Sequence, residues 1–88
     1  MRKCYIINYD LRKQKDYEPL YEAIRSYGTY AHILESCWAV VTTKSASEVF
    51  DHLRREIDED DGLFAVKSGR EAKWVNIIYK DQWLKDNL

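Results

Sequence analysis

The run Cys4-Tyr5-Ile6-Ile7-Asn8-Tyr9 ends in a carboxylate, Asp10, and basic residues Arg12, Lys13 and Lys15 follow it. So apolar a run belongs inside a sheet, which pins Asp10 at the sheet's rim and makes it the first candidate catalytic residue. Further carboxylates stand at Glu35 and in the acidic run Asp58-Glu59-Asp60-Asp61. If the fold gathers Asp10, Glu35, Asp60 and Asp61, their oxygens suit a hard cation such as Mg²⁺ or Mn²⁺. Such an ion would clamp a phosphodiester and lower the pKa of an attacking water. The plainer alternative is a set of solvated turns, with Asp10 capping the loop Leu11-Arg12-Lys13.

A second constellation is basic. Arg2 and Lys3 open the first strand, Lys44 follows the third, and Lys67, Arg70 and Lys73 follow the fourth. All would fall at the end of the sheet opposite Asp10. The start of a helix points there too, and its free amides favour an anion. This is a candidate phosphate-binding rim, or else a solvated charged border. Arg12 and Lys13 form a smaller basic patch beside Asp10. Tyr9 and Trp38 are candidate ligand-facing rings, since aromatic faces stack on bases, although core and dimer packing is the alternative for every tryptophan. His32 lies mid-strand and His52 reads as a surface residue. Ser36 and Cys37 have no partnered base in view, and no glycine-rich phosphate loop, zinc spacing or triad motif is present.

The elements that must position these residues follow from periodicity. Residues 3–10 predict a strand, with Cys4, Ile6, Asn8 and Asp10 on one face and Tyr5, Ile7 and Tyr9 on the other. Asp16 is a candidate N-cap, and Pro19 fits the first turn of a helix. Tyr17, Leu20, Ile24 and Tyr27 recur at helical spacing, and Gly28 stops the helix. Residues 29–35 and Cys37–Thr43 predict two strands joined at Glu35-Ser36. Ser45 and Glu48 have capping-box spacing before a second helix with Ala46, Val49, Phe50, Leu53 and Ile57 on its apolar stripe. Leu63–Lys67 predicts a fourth strand, residues 74–79 a short fifth, and Asp81 the cap of a last helical turn in which Trp83, Leu84 and Leu88 pack back.

The order β-α-β-β-α-β is the split βαβ, or ferredoxin-like, α+β plan, with core 3–67 and a C-terminal appendage at 74–88. Right-handed crossovers predict the strand order 4-1-3-2 with both helices on one face. The other face would then be bare, which predicts a homodimer packed through the open sheet, with 74–79 adding to the partner's sheet edge.

Composition narrows the function classes. The 88 residues carry 33% charged and 45% apolar side chains, the make-up of a single soluble domain. A formal net charge of −1 argues against coating nucleic acid by bulk attraction, so a phosphate ligand needs a local patch. Seven tyrosines and three tryptophans are many for this length and suit interfaces as well as cores. No stretch predicts a membrane span or signal peptide, and Cys4 and Cys37 read as reduced core thiols, so the expected compartment is the cytosol.

The segment Ile6-Ile7-Asn8-Tyr9-Asp10, in a chain of this length and element order, resembles the small CRISPR spacer-acquisition family Cas-two and its relatives, the VapD toxin ribonucleases. The resemblance spans roughly residues 4–67, and its sharpest motif is Tyr9-Asp10. The chain also looks like small bacterial and phage proteins called SinR-like. The resemblance implies a ferredoxin-like homodimer in which Asp10 is a metal ligand near its symmetry mate in the dimer cleft. Three departures stand out. Asp16-Tyr17-Glu18-Pro19 replaces an arginine-rich helix start, Ser36-Cys37-Trp38 follows the family's second hairpin loosely, and Trp74–Leu88 matches no family motif.

Three functions follow. The first is a homodimer that binds a nucleotide or short nucleic acid, suited to sequestering a signalling nucleotide in a phage, defence or counter-defence setting. The second is a Mg²⁺- or Mn²⁺-dependent phosphodiesterase or endoribonuclease using Asp10. The third is a structural interaction module. The balance of features favours binding.

Overall fold

The computed structural model describes residues 1–12 and 17–88. The elements run β1 (Lys3–Asp10), α1 (Glu18–Arg25), β2 (Thr29–Leu34), β3 (Cys37–Thr42), α2 (Ala46–Arg54), β4 (Gly62–Lys67) and α3 (Asp81–Asn87). The result is an α+β architecture with a four-stranded sheet in the order β2-β3-β1-β4, which is 4-1-3-2 read from the other edge. Each neighbouring pair is antiparallel.

Local sequence accounts for the element ends. Ser45 accepts the Glu48 N–H at 3.2 Å and the Glu48 carboxylate accepts the Ser45 N–H at 2.9 Å, so α2 opens on a complete capping box. At α1 the N-cap position is Tyr17, without a side-chain cap, and Pro19 lies in the first turn where a missing N–H costs nothing. The candidate N-cap Asp16 lies outside the described residues, as do Lys13 and Lys15. Gly28 has φ +84°, a left-handed conformation that lets the chain leave α1 for β2.

Strand parity divides the core in two. Tyr5, Ile7 and Tyr9 of β1 and Trp38 and Val40 of β3 pack under Leu20, Ile24, Val49 and Leu53 of the two long helices. The alternate residues Cys4, Ala39 and Val41 form a second cluster with Ala31, Ile33 and Leu84. Both cysteines are free thiols, and burial pushes each thiol's pKa up.

Two expectations are corrected here. Residues 74–79 do not form a fifth strand. Asn76 takes φ +54°, which breaks an extended run, and Ile78 N–H makes a lone bond of 2.8 Å to the Ile33 carbonyl. Nor is the second sheet face bare. The segment that fails to pair crosses it instead, placing Trp74, Ile77 and Tyr79 against the second cluster, and α3 closes it with Leu84 at 2% exposure. Burying that leucine contributes roughly 1.5–3 kcal/mol, and Trp74, Ile77, Tyr79, Trp83 and Leu88 pack beside it to offset the entropy of ordering the tail. The appendage is thus part of the core, and the uncovered remainder of this face lies over β4, where Phe64 and Val66 are exposed.

Candidate functional site

At the end of the sheet where β1 stops, Asp10 pairs with Gly62 and its carboxylate lies in solvent. Arg12 Nε is 3.5 Å from Asp10 Oδ2, with the two side chains 59% and 77% exposed. So exposed a pair contributes at most about 1 kcal/mol. Asp61 behaves differently. It is buried, its Oδ1 accepts the Arg12 N–H at 2.9 Å, and its Oδ2 accepts the Asp58 N–H at 2.9 Å. Those bonds tie the acidic turn to the loop that follows β1, which is a clasp between two backbone segments. Glu35 contributes its carbonyl here, accepting the Tyr9 hydroxyl at 3.0 Å and lying 3.1 Å from His32 Nε2. Among the described residues, no three His, Cys, Asp or Glu side chains stand together as a metal-holding group. Asp10, Glu35, Asp60 and Asp61 therefore share an end of the sheet without converging as ligands.

The opposite end carries the basic rim. Lys3 pairs with Thr42, and Lys67 pairs with Tyr5, so both sit on the last rungs of the sheet. Arg2 reaches across to donate to Thr29 Oγ1 at 3.1 Å. Lys44 is held by its carbonyl, which accepts the Tyr5 hydroxyl at 2.8 Å, while its Nζ lies 5.9 Å from the centre of the Tyr27 ring. The Glu48 carboxyl sits below its ordinary pKa. The Ser45 backbone N–H and then its side chain are the main causes, and the Lys44 and Lys3 charges add to them. The start of α2 thus already holds an anion, supplied by its own capping box. Arg70 and Lys73 lie in the irregular segment after β4, on the side of the sheet away from the long helices.

Tyr9 and Trp38, expected to face a ligand, are core residues. Trp38 is 3% exposed and Tyr9 6%. Trp38 Nε1 donates to the Tyr9 oxygen at 3.2 Å, and the Trp38 ring stacks on His32 with centroids 4.2 Å apart and planes 8° from parallel. Tyr21 leans on both rings, and Tyr17 packs edge-on to Tyr9. Burial drives the Tyr9 phenol far above its usual pKa, so it stays protonated. The alternation of β1 left both faces apolar, and only the packing of α1 over the odd-numbered residues decided which way these rings point. His52 is partly exposed on α2, and its Nδ1 shares a 2.7 Å hydrogen bond with the Tyr27 hydroxyl.

The sequence reading missed a cavity of about 440 Å³ on the second face, between β1–β4 and the tail. Ile6 and Val66 form its floor, Trp74, Ile77 and Leu88 one wall, and Lys73 its rim. The unmatched tail, rich in tryptophan and isoleucine, was the signal for it. A shallower depression of about 240 Å³ lies beside Asp10, between Asn8 and Phe64. No helix among the described residues is long and apolar enough to cross a membrane.

Comparison with family models, with curated proteins and with solved structures gives no match to this chain.

Proposed function

We propose that this chain, a ferredoxin-like domain, works as a homodimeric binding protein for a nucleotide or short nucleic acid, held by its phosphates at the rim of Arg2, Lys3, Lys44 and Lys67. The observation that supports this most directly is the placement of these residues at one end of the sheet, with Lys3 and Lys67 on its last rungs and Arg2 bonded across to Thr29. Lys3 pairs with Thr42, two residues before Lys44, so residues distant in sequence share this end, and a phosphate arriving there would meet ammonium groups from both. Tyr27, with the Lys44 ammonium near its face and its hydroxyl on His52, is a partly exposed ring at this rim suited to stacking on a base. Size and near-neutral charge suit a protein that sequesters a signalling nucleotide.

The test is a binding titration of the whole chain against cyclic and linear nucleotides and short RNA and DNA, at low salt, with Mn²⁺ present. Retention of an intact nucleotide, weakened on the order of tenfold by Lys3→Glu or Lys44→Glu, supports the reading. Cleavage that disappears in Asp10→Asn replaces it with a metal-dependent phosphodiesterase. No binding at any salt concentration overturns it.

A further inference from the structure

The two edges of the sheet are built differently. At the β2 edge, Ile78 N–H bonds to the Ile33 carbonyl, Arg2 bonds to Thr29, and the register shifts between His32 and Leu34. Those features blunt an edge. The β4 edge has none of them. Gly62–Lys67 pairs with β1 in unbroken register, contains no proline or bulge, and carries its one charge at the last residue. The Ser68 N–H bonds to the Cys4 carbonyl at 2.8 Å, which sets the phase of this ladder. Gly62, Phe64 and Val66 direct their backbone groups at β1, so Leu63, Ala65 and Lys67 direct theirs outward. Among the described residues, those outward groups have no backbone partner.

The side chains of β4 are equally unfinished. Phe64 is 59% exposed and Val66 42%, both on the face left uncovered beside the tail. The charges at the two ends of the strand are opposite in sign, with Asp58, Glu59 and Asp60 before it, Lys67 as its last residue, and Arg70 and Lys73 after it. A strand with acid at one end and base at the other is complementary to itself turned end for end.

We propose that β4 pairs antiparallel with β4 of a second copy about a two-fold axis at Ala65, joining two four-stranded sheets into one continuous sheet. This register uses all three outward-facing residues. Ala65 meets the partner's Ala65, and Leu63 meets the partner's Lys67. Phe64 falls beside the partner's Val66 on the uncovered face, an aromatic–β-branched pair of the kind that stabilises sheets. The acidic turn lies alongside the partner's Arg70, so the same pairing brings opposite charges together at both ends. The inference rests on the homodimeric part of the proposed function and gives that dimer a geometry that the covered second face does not.

The test combines mass measurement with cross-linking. In light scattering, the whole chain is expected to have the mass of a dimer, and Val66→Lys, which sets a charge beside the partner's Phe64, should weaken association on the order of tenfold or more. Facing residues in such a pair have Cα atoms about 5.5 Å apart, within disulfide range, so Ala65→Cys should form a disulfide dimer under mild oxidation. Val75→Cys, more exposed than Ala65 but on the tail, should not. A dimer in which Ala65→Cys fails to cross-link while Val75→Cys succeeds overturns the β4 geometry and leaves the homodimer standing. A wild-type monomer at every concentration overturns both. Ala65→Pro supplies a further check, because a proline on an edge removes the outward N–H while leaving the β1 ladder intact. Its circular dichroism should match wild type and its mass should be that of a monomer; a dimeric Ala65→Pro overturns the pairing.

Discussion

Asp61 and Arg12 meet across the end of the sheet, the Asp61 carboxylate accepting the Arg12 backbone N–H at 2.9 Å while its second oxygen takes the N–H of Asp58. The bond links the loop after β1 to the turn before β4, and it makes one of the candidate metal-binding carboxylates a structural tie. Asp10, two residues before Arg12, is left at the rim with its carboxylate in water.

Asp61→Ala should therefore cost about 1–3 kcal/mol of unfolding free energy, because two partly buried amides lose their acceptor. Asp10→Ala should change stability by no more than about 0.5 kcal/mol, as expected of an exposed carboxylate in a weak ion pair. Urea unfolding of the two variants beside wild type checks both.

Tyr9→Phe removes the hydroxyl that donates to the Glu35 carbonyl and accepts from Trp38 Nε1. Leaving a buried indole N–H without its acceptor should cost about 1–3 kcal/mol. Nucleotide binding, if it resides at the basic rim, should be unaffected, since Tyr9 lies at the other end of β1. Denaturation and a binding titration on the same preparation separate the two effects.

Leu84→Ala should destabilise the protein by about 2–5 kcal/mol, the usual cost of emptying a fully buried leucine site. The loss should come with increased binding of an apolar dye, since Ala31, Ile33, Ala39 and Val41 rely on Leu84 for cover. A tail that merely hung from the domain would show neither change.

The Glu48 carboxyl, depressed below its ordinary value of 4.5 chiefly by the Ser45 backbone N–H, makes stability depend on acid pH. Its folded pKa is the lower one. The stabilisation is thus fully present above 4.5 and disappears as the pH falls through the folded value. Glu48→Gln should flatten that part of the stability–pH curve, and carboxyl NMR titration of wild type should place the Glu48 midpoint below those of exposed glutamates.

Much of the architecture could be read from local pattern. The alternation ending at Asp10 marked β1 to the residue, Ser45 and Glu48 announced the start of α2, and Gly28 marked where α1 gives way to β2. These features are legible because they depend on neighbours within a few residues, such as a hydroxyl reaching the amide three positions on or a glycine relieving a positive φ. The segregation of acidic and basic ends also followed, since strand direction alone sorts those charges.

The sites were harder to read because they depend on which face of each element is covered. Val75 and Ile77 to Tyr79 have the composition of a strand, yet Asn76 bends the segment and it lies across the sheet, packing its side chains where pairing was expected. Tyr9 and Trp38 carry rings that could stack on a base or fill a core, and the choice fell to the helices that cover odd-numbered β1 residues. Asp61 and Asp10 carry the same chemical group, one closing an acidic run and the other preceding a basic one. Only the approach of the Arg12 amide made one a structural tie, while the other stays at the rim in an exposed ion pair with the Arg12 side chain. Sequence by itself determined the four strands and two long helices, their order and the end of the sheet at which Asp10, Lys3 and Lys67 fall, since period, caps and strand direction are local. Tertiary structure alone decided which faces are buried, because burial belongs to the partner that arrives from elsewhere in the chain.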